Sequence, residues 1–163
     1  MRTVLWKLTL IAVMTATLAA SAWAHDDTEN IPVSDNNITY TGHIKALFDD
    51  KCAGCHGDDA PEHKDFKKDK EGYKAKDLGP RMNTYTHLIS FVAWPDTGAV
   101  MRRIDDGKMS PEGKQGNMYQ HLGDSEQERQ ANLKLFKKWV GNWSVKRWKA
   151  TSKEEINKMV LAY

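Results

Sequence analysis

The sequence predicts an all-α domain with long loops, and three observations support this prediction. The apolar residues that show a regular spacing recur every three or four positions, as they do on one face of a helix. Ser125 and Ser152 each precede a glutamate by three residues, which is the pattern of a helix capping box. No long stretch alternates apolar and polar residues in the manner of a half-buried strand.

The first 24 residues have the pattern of a secretory signal peptide. Arg2 and Lys7 provide a basic start, residues 8–20 form an apolar run, and Ala22 and Ala24 are small residues that suit cleavage. The apolar run is also close to the length of an uncleaved membrane anchor, which is the alternative interpretation. In both cases the sequence predicts that the rest of the chain is exported to the periplasm.

The charge of the predicted mature chain argues against nucleic acid as a partner. The sequence has 24 basic and 22 acidic residues, and the loss of Arg2 and Lys7 with the signal peptide leaves 22 of each sign. A chain without net charge lacks the electrostatic attraction that nucleic-acid binding requires. Any protein partner would therefore bind through a local charged patch.

The first predicted helix leads directly into the only two cysteines of the chain. Thr41 is its predicted N-cap, and Ile44, Leu47, Phe48 and Cys52 follow at the spacing of one helical face.

The middle of the chain is predicted to be mainly loop. Residues 58–77 are dense in charges of both signs, which favours a solvated loop over a docking patch. A helix is predicted within residues 79–94, where Pro95 would end it. A second short helix is predicted within residues 98–106.

Two further helices are predicted towards the end of the chain. The first begins at Ser125, carries Leu133 and Phe136 on its apolar face and ends at Gly141. The second begins at Ser152. The predicted organisation is a signal peptide at 1–24, a flexible leader at 25–37, a helical domain at 38–143 and a C-terminal helical extension at 144–163.

A bound cofactor is predicted because the apolar core is small for a chain with such long loops. Cys52 and Cys55 are too close in sequence to join distant segments by a disulfide. A bound cofactor would fill the space that side chains leave.

Residues 51–57, "KCAGCHG", are interpreted by comparing three chemistries that use Cys-x-x-Cys. A thioredoxin-like dithiol follows a strand, whereas this motif ends a predicted helix. A structural zinc site needs four ligands, and the sequence has no second cysteine pair. The remaining chemistry is c-type haem attachment, in which Cys52 and Cys55 bind the porphyrin and His56 binds the iron.

With these residues in view, the chain resembles the class I c-type cytochromes. The resemblance rests on "HIKALFDDKCAGCHG" at 43–57, "LGPR" at 78–81 and "NLKLFKKWVGNW" at 132–143. It implies a cytochrome c-like helical domain around one covalently attached haem c, in which the first and last helices cross. The segment between the haem motif and "LGPR" is longer than in the compact members of this family.

The resemblance also implies residues around the haem. The Pro80 carbonyl is expected to accept a hydrogen bond from the proximal imidazole. Arg81, Trp94 and Tyr85 are candidates for contacts to the haem propionates, with core packing as the alternative for Trp94 and Tyr85.

The second iron ligand implied by the resemblance is a methionine in a loop before the last helix. Met118 stands seven residues before Ser125 and Met109 stands sixteen before it, which favours Met118 and leaves Met109 as the alternative. Ligation by a second histidine, His121 or His87, and an open distal position are the other interpretations.

The predicted function is that of a periplasmic monohaem carrier of one electron between redox proteins, which it meets through transient contacts. No acid–base or nucleophile–base pair stands out, which favours a carrier over an enzyme. The alternative is a periplasmic oxidoreductase, or its haem subunit, that acts on a small inorganic substrate, or a gas-binding cytochrome with an open distal site.

Overall fold

The regular elements of the computed structural model, which describes residues 37–163, are all helical. The predicted signal peptide and residues 25–36 of the predicted leader lie outside the described residues. No helix within the described range is long and apolar enough to span a bilayer. The α-helices are α1 Lys45–Lys51, α2 Ala53–His56, α3 His63–Lys68, α4 Lys70–Lys74, α5 Tyr85–Ser90, α6 Ala99–Ile104, α7 Glu126–Val140 and α8 Lys153–Asn157.

The first helix begins two residues earlier than predicted, at Thr39 instead of Thr41. Thr39 has an extended backbone, and its hydroxyl accepts the Gly42 N–H at 3.0 Å. A π-helical turn over Tyr40–Ile44 then leads into α1. The Thr41 hydroxyl donates to the Tyr163 carbonyl at 2.8 Å, a contact across 122 positions that no local pattern indicates.

The charged segment 58–77 was wrongly predicted to be loop throughout, because it contains α3 and α4. The Asp69 carboxylate caps α4 by accepting the Gly72 N–H at 3.1 Å. Lys68 pairs with Asp65 at 2.9 Å along α3. Neither helix buries a side chain, so the apolar periodicity that identifies the other helices is missing here.

The remaining helices agree with the prediction except at their ends. Helix α5 ends at Ser90, five residues before Pro95. Helix α6 starts after Gly98, whose φ of 73° places it in the left-handed region that glycine adopts without strain. The polar segment before α7 contains a 3₁₀ turn over Tyr119–Leu122.

The core lies where α7 packs against the π-helical turn and the 3₁₀ turn. The largest fully buried side chains of the described residues are Trp139, Tyr119, Phe48, Phe136, Ile44, Leu88 and Met101. The first and last long helices therefore meet in the core, as the resemblance implied.

Residues 159–163 form a strap, the C-terminal strap, that joins the start of the first helix to the end of α7. The Ala162 carbonyl accepts the Tyr40 N–H at 2.8 Å and the Trp139 Nε1–H at 2.9 Å. The Leu161 carbonyl accepts a hydrogen bond from the Tyr85 hydroxyl at 2.7 Å. The Tyr163 ring stacks on Tyr40, with centroids 6.0 Å apart. The strap thus satisfies polar groups in the aromatic part of the core.

Deletion of residues 161–163 is expected to lower the free energy of unfolding by about 2–4 kcal/mol, because it leaves the Trp139 and Tyr85 donors without acceptors. Urea unfolding of the haem-loaded protein, followed by circular dichroism, measures this loss. Tyr163→Ala is the control: it removes the ring but keeps the carbonyls, so a loss of only about 1 kcal/mol is expected. Equal midpoints for the deleted and complete chains would contradict the role of the strap.

Candidate haem site

The two cysteines of the motif lie at the junction of α1 and α2. The Cys52 N–H donates to the Phe48 carbonyl at 2.8 Å, and the Cys52 carbonyl accepts the His56 N–H at 2.9 Å. Both thiols are free, with Cys52 half-buried and Cys55 exposed. The motif therefore forms one helical turn with both thiols available to a bound group.

The Cys52 thiol is in its protonated form at neutral pH. Burial, followed by the nearby Cys55 and Asp50, raises the pKa of Cys52 to about 11. Because the thiolate is the nucleophilic form, Cys52 itself is a weak nucleophile at neutral pH.

His56 is held in the orientation and tautomer that a metal ligand needs. Its Nδ1 lies 2.7 Å from the Pro80 carbonyl oxygen, an acceptor, so Nδ1 carries the proton and Nε2 has the free lone pair. Burial lowers the pKa of His56, the Pro80 hydrogen bond acts to raise it and the charge of His121 lowers it further. The net direction keeps the ring neutral, which is the form that binds iron.

The segment 79–82 runs along the motif and leaves no space for a side chain at Gly79. The Gly79 N–H donates to the Cys55 carbonyl and the Met82 N–H to the His56 carbonyl, both at 2.9 Å. A Cβ at Gly79 would overlap the imidazole, 2.5 Å from Nδ1. The glycine of "LGPR" is thus required for the ring to reach Pro80.

Arg81 holds the loop that follows the motif. Its Nε donates to the Ala60 carbonyl at 2.9 Å, its Nη2 to the Asp58 carbonyl at 2.7 Å and its Nη1 to Glu62 Oε1 at 3.0 Å. These three partners fix the backbone beside His56. The contact of Arg81 with a propionate stays a prediction.

The two aromatic candidates for the haem surroundings differ in exposure. Trp94 is 64 % exposed, so it does not pack in the core, which was the alternative interpretation. Tyr85 packs against the core and bonds the C-terminal strap. Propionate contacts of these side chains also stay predictions.

Met118 lies on a segment that is fixed to the end of α6. Its N–H donates to the Arg103 carbonyl and the Gly116 N–H donates to the Asp105 carbonyl, both at 2.8 Å. The Met118 side chain is half-buried against the core. One turn later, His121 is close enough for its charge to act on His56. That Met118 faces His56 stays a prediction.

The other candidate ligands have different surroundings. Met109 is 49 % exposed, and its N–H donates to Asp105 Oδ2 at 3.1 Å. His87 Nδ1 lies 3.1 Å from Asn83 Oδ1, and its Nε2 lies 3.7 Å from Glu62. Both ring nitrogens of His87 therefore have protein partners.

Tyr119 is a residue of this site that the sequence analysis missed. It is fully buried, its hydroxyl donates to Glu126 Oε1 at 2.7 Å, and it accepts from Gln130 Nε2 at 2.6 Å. The signal that could have found it is an aromatic residue directly after Met118. Tyr119 ties the candidate distal segment to the first turns of α7.

Asp105 is a second missed residue, and it anchors the loop that carries Met109. Its carboxylate is buried and accepts the Trp143 Nε1–H at 2.9 Å and the Gly107 N–H at 2.9 Å. A carboxylate with several donors is stable in the interior. Asp105 thus links the end of α6 to the segment after α7.

The donor set fits a covalently attached haem. Cys52 and Cys55 have free thiols one helical turn apart, and the Nε2 lone pair of His56 is free. Met118 has a thioether on a separate segment. Histidine with methionine is the axial pair of many cytochromes c.

Comparison with known proteins agrees with this chemistry. A family model described as PccH cytochrome c matches residues 39–163. The solved structure of the monoheme cytochrome PccH from Geobacter sulfurreducens is 55 % identical to the chain, with a TM-score of 0.74. The similarity covers 78 % of this chain and 100 % of that one. A search of curated proteins finds no match.

Gly79→Ala is expected to displace the His56 imidazole, because the added methyl group would occupy its position. The absorption spectrum of the purified protein should show less bound haem and a loss of the low-spin form. Gly54→Ala in the same motif is the matched control, since its Cβ would have no atom within 4 Å. Normal low-spin haem in Gly79→Ala would contradict the close packing of residue 79 on the ring.

Tyr119→Phe is expected to loosen the Met118 segment at a cost of about 1–2 kcal/mol, because Glu126 and Gln130 lose their common partner. The weak charge-transfer band of sulfur-ligated Fe(III) should then disappear at lower urea concentration than in the unmodified protein. Tyr85→Phe, which also removes a 2.7 Å hydrogen bond, should leave that band unchanged at low urea. Equal sensitivity of the band in both variants would show that Tyr119 acts only through global stability.

Proposed function

The chain belongs to the PccH cytochrome c family, and from that membership we propose that it is a periplasmic carrier of one electron between redox proteins. Membership makes the chain a cytochrome c that transfers electrons and bears one covalently attached haem c. When bound, the haem supplies an iron that alternates between Fe(III) and Fe(II).

Cys52 and Cys55 are the proposed attachment residues and His56 is the proposed proximal ligand. The observation that carries this assignment is the 2.7 Å contact between His56 Nδ1 and the Pro80 carbonyl. It sets the proton on Nδ1 and makes the ring more basic towards a metal at Nε2. The free thiols immediately before this histidine support attachment at the same place.

Met118 is the proposed distal ligand. Its segment is held by the Arg103 carbonyl on one side and by Tyr119 on the other, so the thioether requires little ordering before it meets iron. A thioether favours the reduced state of iron relative to a second histidine. With protein ligands on both sides, the iron has no free position for a substrate, which favours a carrier over an enzyme.

The periplasmic location is proposed from the signal-peptide pattern of residues 1–24. Haem attachment to Cys-x-x-Cys-His takes place outside the bacterial cytoplasm, so export suits the motif. The proposed partners are other exported redox proteins, bound briefly through small interfaces.

The distal ligand is tested by comparing Met118→Ala with Met109→Ala. Met118→Ala is expected to abolish the sulfur-to-iron charge-transfer band of the oxidised protein, because the thioether is its source. Met109→Ala should retain it. The absorption spectrum at neutral pH measures both.

Two results would contradict the proposal. Loss of the band only in Met109→Ala would assign the distal position to Met109. A high-spin spectrum of the unmodified protein that changes when imidazole or carbon monoxide is added would indicate an open iron and oppose the carrier function.

A further inference from the structure

A concave surface of about 230 Å³ lies between the segment after α5 and the segment after α7. Residues 95–97 line one side of this surface and residues 147–149 line the other. Arg102 of α6 also belongs to the lining. We call this surface the tryptophan groove, after Trp148. None of the residues assigned to haem attachment or iron ligation lines it.

The two sides of the groove are joined by the Arg102 guanidinium. Its Nη1 donates to the carbonyls of Thr97 at 2.9 Å, Lys146 at 3.0 Å and Val145 at 3.2 Å. The absence of a side chain at Gly98 lets the Lys146 carbonyl approach closely. A groove fixed in this way loses little conformational entropy when it binds a partner.

The groove has an excess of positive charge. Among residues 37–163, no hydrogen-bond or ion-pair partner is found for the exposed side chains of Arg147 and Lys149. Arg102 donates hydrogen bonds only to carbonyls, and the charge of the nearby Asp96 acts on its guanidinium. The one carboxylate of the lining, Asp96, is already 3.1 Å from His63 Nε2 and 3.7 Å from Lys67 Nζ.

The groove also exposes a large apolar side chain, because Trp148 is 48 % exposed. Trp94 lies outside the lining, directly before Pro95, and is 64 % exposed. Exposed tryptophans beside arginines are the residue types that contribute most to binding at protein interfaces.

Helix α6 connects the groove to the proposed distal ligand. Arg102 lines the groove, and the carbonyl of the next residue, Arg103, accepts the Met118 N–H at 2.8 Å. The groove and the carbonyl that holds the Met118 main chain are thus on neighbouring residues of α6.

We propose that the tryptophan groove docks an acidic redox-partner protein, whose carboxylates bind Arg147 and Lys149 while an apolar side chain packs on Trp148. This inference rests on the proposed carrier function. A chain without net charge after signal cleavage needs a local patch to attract a partner. The concave shape suits a projecting protein side chain better than a flat lipid surface.

The test uses haem-loaded, ¹⁵N-labelled protein and a synthetic decapeptide of eight glutamates and two leucines as the probe, at low salt. Docking should shift the indole N–H resonance of Trp148 and the amide resonances of residues 96, 97 and 147–149. The double variant Arg147→Glu/Lys149→Glu should bind the peptide at least about tenfold more weakly. Added salt should weaken binding to the unmodified protein.

A matched control separates the groove from general charge. Lys70→Glu/Lys134→Glu makes the same change in net charge at two exposed lysines outside the groove, and should bind the peptide normally. An equal loss in both variants, or shifts outside the groove, would overturn the proposal. So would a complete lack of peptide binding.

A second probe distinguishes a protein partner from a membrane. Vesicles of phosphatidylcholine and phosphatidylglycerol at three to one should bind the unmodified protein and the double variant equally. Vesicle binding that depends on Arg147 and Lys149, without peptide binding, would assign the groove to an anionic membrane and overturn the proposal. Peptide binding does not require electron transfer. A negative peptide result would therefore refute the docking proposal alone, and an open-iron spectrum would refute the carrier function alone.

Discussion

An imidazole binds a metal through one nitrogen only when the proton sits on the other, and in this protein a backbone carbonyl decides where the proton sits. The Pro80 oxygen lies 2.7 Å from His56 Nδ1, which leaves the lone pair of Nε2 free for a metal. The contact depends on Gly79, where a Cβ would overlap the ring. Arg81 then fixes the loop after the motif through three hydrogen bonds. The proximal half of the site is thus set by backbone geometry.

The opposite half is built from tertiary contacts between α6 and α7. The Arg103 carbonyl at the end of α6 holds the Met118 main chain, and the buried Tyr119 hydroxyl connects the same segment to Glu126 and Gln130 of α7. If Met118 binds the iron as proposed, its segment is fixed on two sides by these hydrogen bonds. A ligand held in this way would need little reorganisation on electron transfer, which suits a carrier.

The parts of the molecule that the sequence predicted are those with a local chemical signature. The helical class followed from apolar spacing and capping serines, and the single haem c followed from Cys-x-x-Cys-His, which the family relationship confirms. The short helices within 58–77 were missed because they bury no side chain. The contacts of Thr41 with Tyr163 and of Asp105 with Trp143 were missed because they join residues distant in sequence, and those of Tyr119 because they reach into α7. The N-cap at Thr39 is local, since it accepts the Gly42 N–H, and a second threonine two residues later was chosen in its place. Periodicity carries no information about such contacts.

The C-terminal strap has a consequence for the order in which the protein matures. The Thr41 hydroxyl and the Tyr163 carbonyl are 122 positions apart, so the turn that begins the first helix is completed only when nearly the whole chain is available. Contacts of such long separation form late in folding because the loop they close has a high entropic cost. If the chain is exported from its N-terminus, Cys52 and Cys55 leave the cytoplasm well before the strap can lock the fold. The two thiols are then accessible for attachment before the strap closes on the start of the first helix.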